Sequence, residues 1–314
     1  MGLSAVIVAV TRESPRILTI TAPERTDPES DVLPYGPLDP EADRTLELTL
    51  RRWVRERTGL DLGYVEQLYT FGDADRGARL TPSGPRVISV VYLALVREDR
   101  PTGPAAPRWR DWYTFLPWED WREGPPEVIR QAIAPALSDW TAEAPKGPLR
   151  EERRERAGIA FGLEGAGWDA DRVLDRYEIL YEVRLVDEAL RDRVRPDPTP
   201  LPVSGLGRAM GMDHRRILAT GLGRIRGKLR YRPVAFELLS ETFTLLDLQR
   251  VIESLVGLRL HKQNFRRLVE RGGLVEGTGR LDPSTGGRPA ELFRFRREVL
   301  RERRAPGVGF PGSR

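Results

Sequence analysis

Between Thr244 and Gly272 the chain reads TLLDLQRVIESLVGLRLHKQNFRRLVERG, and this stretch permits very few folds. Leu245, Leu248, Val251, Ile252 and Leu255 recur at helical spacing, so they form the buried face of one helix. Thr244 is placed to cap that helix, with Asp247 three residues on, and Gly257 ends it. The four residues LRLH make a turn, and a second helix begins near Lys262 with Phe265, Leu268 and Val269 inward and Gly272 as its stop. Two short amphipathic helices joined by so tight a turn are a helix-turn-helix. Strands at Leu274–Glu276 and Glu291–Phe295, around a Gly/Pro/Ser loop, add a hairpin wing.

The outward positions of the second helix are Lys262, Gln263, Asn264, Arg266 and Arg267. Gln, Asn and Arg each pair bidentately with purine edges, so these side chains suit base reading in a major groove. Thr244, His261, Arg280 and Arg288 complete the set expected to contact DNA, the last two from the wing. The charge distribution agrees. Residues 205–304 carry 22 basic and 11 acidic side chains, whereas residues 1–204 carry 28 and 36. A basic module on an acidic partner is expected to meet a polyanion. The plain alternative is a small helical domain with solvated arginines.

The rest of the chain narrows the chemistry by what it lacks. No cysteine is present, so disulfides and thiolate catalysis are excluded, and a cytoplasmic protein is expected. The histidines are His214 and His261 alone, too few for a His-rich metal centre. His214 is expected as a cap or interdomain contact. No apolar run approaches the roughly 20 residues of a membrane helix, and no metal or cofactor site is expected.

Residues 1–144 read as mixed α/β. AVIVAV and RILTI form a hairpin, Leu46–Arg57 a helix stopped by Gly59, and RVISVVYLALV (86–96) a strand buried on both faces. Four tryptophans lie between Trp109 and Trp121, expected as core packing, and Val128 to Trp140 is helical. Residues 145–195 are charged and helical; Val173, Leu174, Tyr177, Leu180 and Tyr181 make a stripe that must pack against the first domain or a second copy. Pro-rich 195–204 is a linker. A basic helix runs from His214 to about Arg230, assigned to the module at 205–304, and 305–314 is a disordered tail.

LRRWVRERTGL (50–60) resembles the end of the Nudix box, G-x5-E-x7-R-E-U-x-E-E-x-G-U, whose glutamates hold Mg²⁺ against a diphosphate. Aligned on Gly59 and Leu60, Arg52, Val54 and Glu56 match. Trp53 and Arg57 replace the other helix glutamates, Arg44 replaces the earlier one, and Gly36 stands two residues from the leading glycine position. Glu41, Asp43 and Glu47 have the wrong spacing to substitute. One carboxylate among arginines repels a dication rather than binding it.

With LYTFGDADRG (68–77), DHRRIL (213–218), ETFTLLDLQRV (241–251), NFRRLV (264–269) and GRPAELFRF (287–295), the chain resembles the Nudix-related transcriptional regulators of NAD metabolism. The resemblance covers about 1–144 and 211–297; the charged segment 145–210 departs from it. It implies an α+β chain, with an N-terminal Nudix-like α/β/α sandwich and a C-terminal winged helix-turn-helix. It also implies a repressor, not an enzyme, that binds an operator in double-stranded DNA near NAD synthesis or salvage genes as a homodimer. An NAD-derived nucleotide, ADP-ribose first, would be its effector. Arg52, Glu56, Arg57, Tyr69, Phe71 and Asp73 are the effector-site candidates. Two rival readings remain: an active Nudix-type hydrolase with an appended domain, and a nucleic-acid binder whose first domain only dimerises.

Overall fold

The computed structural model describes residues 1–11, 13–21, 30–39, 41, 44–72, 87–192, 205–282 and 289–308. Strand β1 (Gly2–Thr11) is the spine of the main sheet. It pairs antiparallel with β2 (Ser14–Thr21), as the expected hairpin, and with β4 (Tyr35–Pro37). On its other side it pairs in parallel with β6 (Ser89–Leu95), and β6 pairs antiparallel with the edge strand β5 (Tyr64–Phe71). β3 (Asp31–Val32) and β7 (Arg108–Asp111) both pair with β2.

Alternation along β1 sends its apolar residues to two cores. Leu3, Ala5, Ile7 and Ala9 meet Leu50, Trp53 and Val54 of helix α1 (Leu46–Thr58). Val6 and Val8 join the larger core on the opposite face, which includes Ile217, Leu218 and Leu222. Those residues belong to a helix, His214–Leu229, and not to the tryptophan-rich stretch or its neighbour. Between α1 and that helix come α2 (Ala134–Glu143), preceded by a π turn at Ile129–Ile133, α3 (Pro148–Phe161), α4 (Val173–Glu182) and α5 (Asp187–Arg191), so His214–Leu229 is α6. α6 is therefore the second outer layer of the α/β/α sandwich, although its basic sequence groups it with the C-terminal module. Gly221 permits this contact, because a Cβ there would lie 3.0 Å from Val6.

The apolar stripe of the charged segment also finds its partner within the chain. Val173, Tyr177 and Leu180 of α4 are buried with the α6 residues in one core. The Pro-rich linker at 195–204 lies outside the described residues.

The C-terminal module follows a 3-10 turn at Val234–Leu238. Helix α7 (Leu245–Val256) has the expected start: Thr244 and Asp247 form a reciprocal capping box, and Gly257 closes the helix in the left-handed conformation. Helix α8 (Lys262–Gly272) stops at Gly273, also left-handed, one residue beyond the expected glycine. β8 (Val275–Asp282) and β9 (Ala290–Phe295) form the wing, longer than the sequence pattern indicates. Phe243 adds a short bridge to Phe293, and Phe236 stacks on Phe295 with ring centres 4.4 Å apart. A last turn, α9 (Val299–Glu302), leads to residues 305–308. These are not a free tail: Val308 is buried and its N–H donates to the Leu229 carbonyl at 2.9 Å. Residues 309–314 lie outside the described residues. No described helix is long and apolar enough to cross a membrane.

Candidate nucleic-acid interface and sensor site

α8 presents one buried and one open face. Phe265 and Val269 anchor it in the core, while Lys262, Gln263, Asn264, Arg266 and Arg267 are all exposed. Arg266 pairs with Glu270 at 2.7 Å, and Arg267 donates to the Asn264 side-chain oxygen at 3.0 Å, so both long side chains lie along the helix. Lys262 and Gln263 have no side-chain partner among the described residues. His261 is the exposed N-cap residue and makes no side-chain cap bond. The first turn of α8 has no acid, so its free N–H groups and dipole favour an anion. Arg280 is exposed on β8, where the pairing register skips from Gly277 to Leu281. Such a bulge re-aims its residues away from the ladder.

One DNA-site expectation does not fit this surface. Thr244 is buried, and its hydroxyl donates to Asp247 Oδ2 at 2.7 Å and accepts from the Asp247 N–H at 3.1 Å. It serves the helix start and leaves nothing for a phosphate. Arg288 lies outside the described residues.

In the first part of the chain, α1 carries Arg52 and Glu56 as an exposed pair at 3.5 Å. The Arg57 guanidinium lies 5.1 Å from the centre of the Trp53 ring, a cation–π contact. Trp53 is only 7% exposed, and a Cβ on Gly36 would fall 2.0 Å from its indole nitrogen. Gly36 thus makes room for the ring that replaces a carboxylate, and that nitrogen has no hydrogen-bond partner among the described residues. The Tyr35 hydroxyl is pushed up by burial, partly offset by Arg57. Glu47 pairs with Arg51 at 2.9 Å, and Arg51 also donates to the Gly63 carbonyl at 3.1 Å. The remaining α1 acids are therefore matched by arginines, and this donor set does not fit a magnesium–diphosphate centre. Among the described residues no three carboxylate, His or Cys side chains group as metal ligands.

Tyr69 and Phe71 do not join the α1 residues. The β5–β6 register shifts between Gln67 and Tyr69, so Tyr69 pairs with Val91, which faces the α6 core. Phe71 is buried in that core, and its ring lies 5.4 Å from Tyr69, which is 60% exposed. The sheet stands between this pair and Arg52, Glu56 and Arg57. Asp73 lies outside the described residues.

A polar core that no local signal announces joins the two halves. Glu119 accepts from Arg176 Nε at 2.6 Å and Nη2 at 2.9 Å, and also from Arg226, with all three side chains fully buried. Burial alone would raise the Glu119 carboxyl, but Arg176 and Arg226 hold it below the ordinary carboxylate range. Arg226 Nε donates to the Leu255 carbonyl at 3.0 Å, and the Tyr113 hydroxyl to the Ser254 carbonyl at 2.8 Å. Burial pushes that hydroxyl up to about 12. His214, at the start of α6, holds that helix to the sandwich: its Nδ1 accepts from the Leu33 N–H at 2.9 Å, a contact within the first part of the chain.

Comparison with known proteins agrees with this two-part architecture. Residues 235–295 match the NrtR DNA-binding winged helix domain family. Over 86 residues the chain is 36% identical to the "ADPR responsive transcriptional repressor NtrR" of Acinetobacter baylyi, covering 27% of this chain and 34% of that protein. The match therefore spans about a third of the relative's length. The fold resembles that of Shewanella oneidensis NrtR crystallised with a 27mer DNA, with a TM-score of 0.56 at 21% identity, over 96% of this chain and 95% of that one. It also resembles a MutT/nudix family protein from Enterococcus faecalis, with a TM-score of 0.51 at 15% identity, over 94% and 85% of the two chains.

Proposed function

With residues 235–295 an NrtR DNA-binding winged helix domain, we propose that the chain is a cytoplasmic transcriptional repressor of NAD synthesis or salvage genes. The observation that carries this reading is α8, whose five polar side chains stand open on a helix anchored by Phe265 and Val269. Gln263 and Arg266 read base edges, while Lys262, Arg267 and Arg280 meet phosphates. A two-fold homodimer presents two such helices to half-sites one or two helical turns apart. Residues 1–232 make the sensor, with α3–α5 as an addition to its α6 face, and residues 233–308 make the reader.

The effector is an NAD-derived nucleotide such as ADP-ribose. Arg52 and Arg57 supply positive charge for its diphosphate on the α1 face, in place of the metal that a full set of glutamates would hold. A sensor that retained those glutamates would destroy its own signal, so losing them separates binding from turnover. Tyr69 is exposed on the opposite face of the sheet and Phe71 is buried beneath it, so neither belongs to this site.

Calorimetric titration of ADP-ribose with and without Mg²⁺, followed by analysis of the recovered nucleotide, tests the sensor. Binding that needs no metal, with ADP-ribose recovered intact, is expected. Release of AMP would instead favour the hydrolase reading.

A further inference from the structure

One short stretch of chain touches both the end of α1 and the helix-turn-helix. At its start, the Thr102 N–H donates to the Thr58 carbonyl at 2.8 Å. Gly103, with φ +130°, lies so close that a Cβ would sit 2.4 Å from the Arg57 carbonyl oxygen. The loop is then tied to itself by the Trp109 indole, which donates to the Asp99 carbonyl at 2.8 Å. β7 carries the chain along β2, and Asp111 caps the next turn by accepting from the Tyr113 N–H at 2.8 Å.

At its far end the stretch covers the C-terminus of α7. The last carbonyls of a helix lack partners within it. Here Tyr113 takes that of Ser254, and the Trp121 N–H takes that of Gly257 at 2.8 Å. The Glu119 carbonyl packs so near Gly257 that a Cβ there would lie 2.3 Å away. Five residues later, at Lys262, α8 begins. The turn between is held rigidly to α7, since Glu253 accepts from the Leu260 N–H at 2.8 Å.

We propose that Thr102–Trp121 is the positioning link between the α1 end of the sensor and the recognition helix α8. A displacement at Arg57–Gly59 has a continuous path of hydrogen bonds and backbone contacts to Gly257, and from there to α8 as part of one rigid unit. Tyr113 and Trp121 are positioning residues that act on DNA reading through α7 and touch no base themselves. The inference rests on α8 being the reading helix.

The test uses the full chain and places the perturbation and the readout at opposite ends. Gly103→Ala forces a shift against Arg57, and Trp109→Phe is a milder input change that removes the indole N–H. Hydrogen exchange is followed at residues 254–262 without any ligand. Both variants are expected to raise exchange there at least threefold, and Tyr113→Phe is expected to weaken that response. Changes confined to residues 55–60 and 99–111, or a response unaltered by Tyr113→Phe, would overturn the link. In operator titrations, Tyr113→Phe should also reduce the factor by which ADP-ribose changes affinity at least threefold; an unchanged factor would count against the link. A wild-type protein indifferent to ADP-ribose would refute the effector reading, and the exchange result would still decide the link.

Discussion

Replacing Glu119 by Gln removes one buried negative charge and leaves two buried guanidinium groups facing each other. The starting geometry is close to ideal, with Arg176 bound through two nitrogens at 2.6 and 2.9 Å and Arg226 on the second oxygen. Both arginines are further held by carbonyls, those of Ala160 at 2.9 Å and Leu255 at 3.0 Å among them, so neither can swing out to water without breaking these bonds. Breaking a buried pair by removing one partner costs about 3–5 kcal/mol. With a urea dependence of roughly 3 kcal/mol per M, the unfolding midpoint should fall by about 1 M or more at pH 7. The Trp168 ring lies under Arg176 and packs against Trp121, so tryptophan fluorescence is a suitable probe. The pH dependence has a definite sign. The folded carboxyl lies below its ordinary value of 4.5, so its contribution is fully present above that value and is lost as pH falls through the folded value. The gap between wild type and variant should therefore be constant from pH 7 to about 5 and narrow in stronger acid. A midpoint shift below about 0.3 M at pH 7, or a gap that widens in acid, would refute the charge argument.

Alanine at Gln263 or Arg266 should weaken operator binding by roughly 1–3 kcal/mol and random-sequence binding little; equal losses on both DNAs would make these phosphate contacts. Thr244→Ala should lower stability by about 0.5–2 kcal/mol through loss of the capping box, seen as a lower urea midpoint, while the salt dependence of DNA binding stays unchanged because the hydroxyl meets no phosphate. Gly257→Ala places a Cβ against the Glu119 carbonyl at a left-handed φ of 73°, and its urea midpoint should fall by more than that of Thr244→Ala.

Much of the reader was legible because its signals are local. A cap followed three residues later by an acid, an apolar period and a terminal glycine fall within one or two turns of each other, and α7 and α8 follow them closely. The Nudix-like helix was legible for the same reason, down to Gly59 as its left-handed cap. What failed depended on partners far away in the chain. The irregularity at Leu68 inverts which face Tyr69 takes, and simple alternation cannot reveal a bulge. α6 reads as part of the basic module, yet its apolar face covers the sheet and its Arg226 turns inward to Glu119, 107 residues earlier. No periodicity distinguishes that arginine from its solvated neighbours. Thr244 was legible as a cap, and that role is what removes it from the DNA surface.

The central claim is that a nucleotide held by the first part of the chain controls DNA binding by the last. Its most direct test is a titration of the purified protein against DNA from upstream of its own gene and neighbouring genes, at fixed salt, with and without ADP-ribose. Tight binding to one site, at least a thousandfold above random DNA, and an affinity that ADP-ribose shifts are the predicted result. Binding no tighter than to random DNA, or specific binding that neither ADP-ribose nor NAD alters, would contradict it.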